Sequence, residues 1–566
     1  MALICYGVLV SAQAPEPMPG WPNTVAIPQY AVHEFPKFGV DRGQPALFHD
    51  NLSGQLQKFR MDGSFYPNWP VVFDTLLFGM PSVLLDIDHD GNTELFCDGA
   101  RRSSEPPYYL YSLVFLIDDD GSVMPGFPLR HSRPHALSAG DMNGDNEYEL
   151  FFLSRDELSI YSIDKHGNAV SGWPVPLPYD LQENAGAPLG PAIGDLDLDG
   201  NNEFMVLGDY NIYAYNFDGS MHPGFPIAIW DQSFAYRCPY MGALADLDAD
   251  GYLEITVPGS NWIDTMPPNL ISFIAVYEHT GQMKIGFPLF RNRYISTPPI
   301  PVDIDGNGSL ELGFYDDSLN FVDLAGNQMP GWPIYPNGAD DIYGVITSEL
   351  VVVDIDADGD QELFSDLSLV QVDSPGFITR YLTAHSHTGQ TLPGFPMRVD
   401  GYLSGRPPTF ATDAGGPGLL MAVSMSKFDS IILMLYRFPD SAGALDEWPM
   451  LGHDNLLTRN RNFVDRVTGV GDHDAEVLPR NFILGQNYPN PFNATTAFEY
   501  VLPQDAFVTL SLFDICGRKI LDLKNGIIAA GSHRQKLTLN DCPSGIYFYR
   551  LKAGDVEITR KMALVK

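Results

Sequence analysis

Cysteine, positive charge and long apolar runs are all scarce in this chain, and each scarcity narrows what it can be. There are five cysteines in 566 residues. Cys5 sits in a segment that a secretory peptidase would remove, Cys97 and Cys238 read as buried thiols, and Cys516 and Cys542 can pair in an oxidising compartment. Lys and Arg number 33 against 71 Asp and Glu, a net charge of −38. No basic stripe with interleaved aromatics offsets that charge, which argues against nucleic acid as a partner. No apolar run reaches the roughly 20 residues of a membrane-spanning helix. Catalytic signatures are missing too. There is no Gly-x-Ser-x-Gly elbow, no His-Glu-x-x-His and no phosphate-binding glycine loop, so no catalytic residue is assigned. His385 and His387 alternate along one strand and read as exposed.

What is present is a repeated acidic nonapeptide, D-x-[DN]-x-[DN]-G-x-x-E, beginning at Asp86, Asp141, Asp195, Asp246, Asp303 and Asp354. A near-constant period of 51 to 57 residues makes it an architecture rather than an isolated motif. The oxygen-bearing side chains fall at positions 1, 3, 5 and 9. They are Asp86, Asp88, Asp90 and Glu94; Asp141, Asn143, Asp145 and Glu149; Asp195, Asp197, Asp199 and Glu203; Asp246, Asp248, Asp250 and Glu254; Asp303, Asp305, Asn307 and Glu311; Asp354, Asp356, Asp358 and Glu362. Alternate residues of a tight loop can aim several oxygens at one point, and a hard cation such as Ca²⁺ takes six to eight. Glycine at position 6 permits the sharp turn. Asn146 replaces it in the second copy and tolerates the same backbone. An EF-hand needs a bidentate Glu at position 12 and flanking helices. Position 12 here is Cys97, Phe152, Val206, Val257, Phe314 or Ser365, and the flanks are short apolar runs such as PAIG and FMVLG. The loop is therefore expected to join two strands, with about six structural Ca²⁺ ions in all.

A second signature travels with the loops. Gly-Phe-Pro or Gly-Trp-Pro ends at Pro128, Pro174, Pro226, Pro288, Pro333 and Pro396, with weaker copies at Pro70 and Pro449. An alternating stretch and a turn such as Asp218-Gly219 precede it. Alternation predicts a third strand, and the aromatic-Pro segment begins a fourth at an edge, where proline is tolerated. Four strands per fifty residues make the blade of a β-propeller. Two units without the acidic loop flank the six, one ending at Pro70 and one at Pro449. The expectation is eight blades, with seven as the alternative. Pro19-Gly20-Trp21-Pro22 is a candidate outer strand joining the last blade to the N-terminus.

The acidic loops and their strand flanks resemble the FG-GAP/VCBS family over roughly residues 20–460. That resemblance implies a calcium-binding propeller of the type found in integrin alpha heads and in bacterial secreted proteins.

Residues 479–566 change character. Leu484-Gly485-Gln486-Asn487-Tyr488-Pro489-Asn490-Pro491 opens a run of strand segments that includes Gly545-Ile546-Tyr547-Phe548-Tyr549-Arg550-Leu551. Spacing predicts a small immunoglobulin-like sandwich of about seven strands. The segment resembles the C-terminal sorting domain of type IX (Por) secretion, which implies recognition by an outer-membrane translocon. Residues 461–478 form a polar linker. Residues 1–14 read as the remnant of a signal peptide. The expected address is the outside of the cell, reached through the periplasm.

The all-β chain is thus expected to be a secreted or cell-surface binding or adhesion protein for glycan or protein ligands. A secreted carbohydrate-active lyase or hydrolase, and a structural surface-layer component, are the alternatives. Insertions after the loops and between units supply candidate ligand contacts: Arg101, Tyr108, Tyr109, Trp230, Tyr236, Arg237, Trp262, Arg291 and Tyr294. Arginine and exposed aromatics suit glycan stacking or protein recognition. In the integrin pattern these loops face away from the calcium ions.

Overall fold

The computed structural model describes residues 14–565 except 27–35, 52–53, 74–75, 78–81, 103–108, 133, 155, 179–190, 209, 230–235, 238–241, 262–271, 336–341, 347–348, 357, 372–377, 400–406, 414–417, 427–429, 440–443, 449–453, 455–459, 461–482, 485–491, 503–505, 515–517, 529–530, 540–541 and 554–555. The regular elements among them are all β-strands. No helix among the described residues is long and apolar enough to cross a membrane. The chain divides into two compact units: Met1–Asp248 with Tyr252–Thr468, and Gly469–Lys566 with Ala249–Gly251.

The larger unit contains eight small antiparallel sheets among its described residues. The fourth shows how the sequence builds one. Ala192–Gly194 is apolar and buried, and its last residue pairs with Glu203, so that Glu203–Leu207 folds straight back from the acidic loop. Asn211–Tyr215 follows, with Ile212 and Ala214 buried. Gly219 closes a turn onto the Asn216 carbonyl (2.9 Å). After the Phe225–Pro226 bond, which is cis, Ile227–Ala228 completes the sheet. Antiparallel pairing puts the acidic loop and the aromatic-Pro turn at one end of the sheet and the hairpin between the middle strands at the other.

The described residues of the long insertions lie in paired strands. Glu94–Arg102 pairs with Tyr109–Ile117, Glu254–Asn261 with Ser272–Tyr277, and Glu362–Gln371 with Ile378–His385.

The first sheet (Pro36–Asp41, Gln44–Asn51, Gln55–Phe59 and Val71–Val72) lacks an acidic loop, as does the eighth. In the eighth, Thr409–Thr412, Gly418–Ser426 and Ser430–Pro439 are joined by Glu16–Pro17 and Asn23–Ala26 from the N-terminus. The Trp21-Pro22 copy of the signature therefore serves the eighth sheet. The copy at Pro449 does not: Ala444–Trp448 leaves the eighth unit and pairs with Val351–Asp354 of the seventh sheet.

Buried apolar side chains join neighbouring sheets in strict succession. Phe151 of the third sheet stacks on Phe204 of the fourth (4.4 Å between centroids). Ile255 and Phe273 of the fifth pack on Met205 and Ile212 of the fourth. The succession continues through the sixth, seventh and eighth sheets. The eighth then packs on the first, through Leu420 and Leu433 against Phe38, Leu47 and Phe59. The first packs on the second, and the second on the third.

The aromatic-Pro turns add polar ties across the same joints. The indole N–H groups of Trp21, Trp69, Trp173 and Trp332 donate to the carbonyls of Met61, Asp119, Phe217 and His387, each in the next sheet's turn. Gly172 allows this approach. Its φ is +92°, and a Cβ there would overlap the Asp218 carbonyl oxygen.

Ala444–Trp448 and Asn460 each lie against the first strands of other sheets. Ala444–Trp448 lies beside Ile300–Val302 and Thr409–Thr412 as well as its partner strand. Buried Asn460 donates to the Ile193 carbonyl (2.9 Å) and bridges Leu244. Burial pushes the Lys37 ammonium down to about 8, against the opposing charges of Asp50 and Asp454.

The smaller unit has seven described strands in two sheets: Ile483–Leu484, Thr495–Leu502 and Gly531–Thr538, then Lys519–Ile528, Ala506–Asp514, Gly545–Ala553 and Val556–Leu564. Tyr500, Leu510, Leu512, Tyr549 and Met562 form its core. Cys542 is a free thiol, and Cys97 is free and buried as expected. Cys238 and Cys516 lie outside the described residues.

Candidate metal-binding loops

The six acidic loops share one internal geometry, and each element of it follows from residue type. The position-9 glutamate starts the second strand, so its backbone is fixed by the sheet. Its carboxylate turns back to accept the N–H of position 2: Ile87 to Glu94, Met142 to Glu149, Leu196 to Glu203, Leu247 to Glu254, Ile304 to Glu311 and Ile355 to Glu362, at 2.7–3.1 Å. The first aspartate accepts the N–H of position 6 in five loops, from Gly91, Asn146, Gly200, Gly308 and Gly359. Position 6 is left-handed in all six, including Asn146 at +65°.

Position 4 is left-handed as well, at His89, Gly144, Leu198, Ala249 and Gly306. The motif leaves that position open, and nothing in the residue types at 89, 198 and 249 signals it. A non-glycine residue there carries a small strain, held by the bonds on either side.

These turns bring the carboxylates together. One oxygen from each member lies within 4.8 Å of the others in the groups Asp86, Asp88 and Asp90; Asp195, Asp197 and Asp199; Asp246, Asp248 and Asp250; Asp303, Asp305 and Glu311; Asp354, Asp356 and Glu362. The second loop has the same bonding, with Asn143 in place of one carboxylate. Burial, reinforced by the neighbouring aspartates, pushes Glu94 and Glu362 up to about 9 and Glu149, Glu203 and Glu254 up to about 8. Burial likewise raises Asp86 and Asp195, and lifts Asp356 to about 6. Buried oxygens with no hydrogen-bond partner remain on Glu94, Asp195, Asp305 and Asp356. Several converging, partly buried carboxylate oxygens that lack donors are a fit for a divalent cation. The Asp-rich groups can hold metal ions.

Lysines also meet carboxylates at this end of two sheets. The Lys284 ammonium lies 2.8 Å from Asp248, 3.1 Å from Glu278 and 3.4 Å from Glu254, against the fourth loop. In the first sheet, where a two-residue turn replaces the acidic loop, the fully buried Lys58 ammonium sits 3.0 Å from Asp41. There a side-chain cation answers the carboxylate. Spacing could not have found either lysine, because both reach in from the third-strand side of the sheet.

The candidate ligand contacts are dispersed. Arg101 lies near the end of Glu94–Arg102, and Tyr109 opens the strand that pairs with it. Tyr236 and Arg237 pair with Asn261 and Ser260. Arg291 ion-pairs with Asp316 (3.6 Å), its guanidinium over Phe314, and Tyr294 follows on the same connection. Tyr108, Trp230 and Trp262 lie outside the described residues. His385 is buried, not exposed as expected, and burial lowers its pKa to about 4; His387 meets Asp360 at 3.1 Å.

Residues 486–565 match the secretion system C-terminal sorting domain. This domain directs export by type IX secretion to the cell surface or the extracellular space. No curated protein matches the chain. Among solved structures, the V. cholerae biofilm matrix protein Bap1 aligns at 12% identity and a TM-score of 0.45, over 76% of this chain and 91% of that one. PorZ, a surface component of the type IX secretion system of Porphyromonas gingivalis, aligns at 12% identity and a TM-score of 0.31, over 94% of this chain and 65% of that one. Likenesses this distant carry no functional argument.

Proposed function

We propose that residues 20–460 form an FG-GAP/VCBS-type β-propeller of eight blades that binds about six structural calcium ions. In this reading residues 461–478 are a linker and 479–566 a cleavable or retained export module. The propeller presents glycan- or protein-binding surfaces outside the cell. The observation that carries the reading is the cyclic order of apolar contacts: each sheet packs on the next, and the eighth packs on the first. Ala444–Trp448 and Asn460 support it, because residues so close in sequence meet the first strands of sheets far apart in sequence most simply near a common axis. Calcium is the cation that all-oxygen loops of this flexibility favour over magnesium.

Isothermal titration of the chelated full chain tests the metal assignment, with about six calcium ions bound per chain expected. Two or fewer would end it. Binding of chain-coated beads to a glycan array, against beads coated with the sorting domain alone, tests the role. Equal binding by both would remove the larger unit as the adhesive element.

A further inference from the structure

The first sheet differs from the six sheets that follow it at one end. A two-residue turn, Arg42-Gly43, stands where the others carry nine-residue loops. The space left over is a cavity of about 580 Å³, within the range of small-molecule sites. It is bounded by the Asp41–Pro45 turn and the Arg60–Asn68 turn of the first sheet, by Asp119 and Asp120 of the second, and by Asp413 of the eighth.

Its floor is held in place. Lys58 is fully buried, with its ammonium 3.0 Å from Asp41 and 3.2 Å from the Asp119 carbonyl. The same ammonium lies 4.8 Å from the Tyr66 ring centre. Burial, followed by the Asp41 charge, raises the Tyr66 pKa. Arg60 lies over the Tyr66 ring at 4.5 Å and donates to the Phe65 carbonyl.

The charges cancel. Asp41, Asp119, Asp120 and Asp413 are four carboxylates. Arg42 and Arg60 line the cavity too, Lys58 beneath it pairs with Asp41, and Arg437 beside it pairs with Asp413 at 2.7 Å. A cavity that is acidic and basic in equal measure does not select an ion. It offers carboxylate acceptors beside guanidinium and carboxamide donors, the complement of a ligand whose every polar group both donates and accepts. Met61, Pro45 and Pro67 add apolar surface.

We propose that this cavity binds a neutral sugar residue, with Asp120, Arg60 and Asn68 taking its hydroxyls. The proposal rests on the glycan reading above but moves the site: it lies at the metal-loop end of the sheets, opposite the long hairpins that carry Arg101 and Tyr109.

Saturation-transfer NMR on the calcium-loaded full chain tests it, with the methyl glycosides of glucose, galactose, mannose and N-acetylglucosamine as probes and glucuronate and glucosamine as charged controls. Transfer to at least one neutral glycoside is expected, with its Kd raised five-fold or more in Arg60→Gln and in Asp120→Asn. Both positions reach the surface, and Asn at 120 keeps an acceptor for the Ser122 N–H that closes the turn. Arg293→Gln, an exposed change at the opposite end, is expected to leave Kd unchanged. Binding lost in Arg293→Gln but kept in the two cavity variants would overturn the placement and leave the glycan reading standing. Transfer to the charged sugars alone would overturn the neutral class. No transfer to any probe, from a chain that still takes up calcium, would overturn the site without touching the metal assignment.

Discussion

The two units of this chain are both built from antiparallel strands, yet they are stabilised differently. Residues 1–468 hold 22 Lys and Arg against 61 Asp and Glu; residues 469–566 hold eleven against ten. Strands in the larger unit are often only two to five residues long, and five of its sheets fold back around a carboxylate cluster. Strands in the smaller unit mostly run eight to ten residues, and a single core spans its two sheets. A two- or three-residue first strand makes too few ladder bonds to fix a hairpin by itself. An ion held between its last residue and the start of the next strand would supply that fixation. Long strands facing each other across one apolar layer have no such need.

The comparison breaks most directly on removing calcium. A ligand that binds only the folded state at 100 times its Kd adds about 2.7 kcal/mol per site. Calorimetry of the full chain should resolve two transitions. Chelation should lower that of the larger unit by roughly 10–20 °C and leave the other in place. Equal movement of both, or of neither, would mean that the loops do not carry the difference.

The apolar joints should separate the units just as cleanly. Phe204→Ala removes a ring stacked across two sheets of the larger unit, and Leu512→Ala removes a fully buried side chain of the smaller. Each is expected to cost about 3–5 kcal/mol, read as a lower melting temperature in its own transition only. A Phe204→Ala chain in which both transitions fall would show that the units melt as one.

Proton binding sharpens the contrast further. In the chelated chain, the buried glutamates titrate near 8–9, far above an unfolded glutamate. An acid whose pKa is raised by folding binds its proton more tightly in the folded state, so stability is lost as pH climbs from the unfolded value toward the folded one. The chelated larger unit should therefore melt progressively lower between about pH 4.5 and 8. Calcium should flatten that slope, since the ion replaces the protons. A chelated melt that rises over this interval would contradict the burial of those carboxylates.

Much of this was legible in the chain because the loops place chemistry at fixed intervals. The D-x-D-x-D-G-x-x-E spacing located the turn, the strand on each side and the converging oxygens, as Gly194 paired with Glu203 confirms. Long-range partners were not legible. Lys58 and Lys284 reach their carboxylates through folding, with no spacing signal in the chain. Trp448-Pro449 carries the aromatic-Pro signature, but Ala444–Trp448 pairs with the seventh sheet, because the N-terminal strands occupy the edge it was expected to fill. A local motif specifies a local turn; which edge is free is decided by the rest of the molecule.

The finest test concerns the tryptophan variant of that signature. Trp173 and Phe225 occupy equivalent positions in the third and fourth sheets, but only the indole can donate to the next sheet's turn, as Trp173 does to the Phe217 carbonyl at 2.8 Å. Trp173→Phe keeps an aromatic ring of the kind other sheets use and removes the donor. It should lower the melting temperature of the larger unit by the equivalent of about 1 kcal/mol, the net worth of one hydrogen bond. The smaller unit should be unaffected. A cost of several kcal/mol would show instead that the indole's bulk, packed against Phe151 and Phe204, matters more than its N–H, and would move these joints from polar tie to apolar wedge.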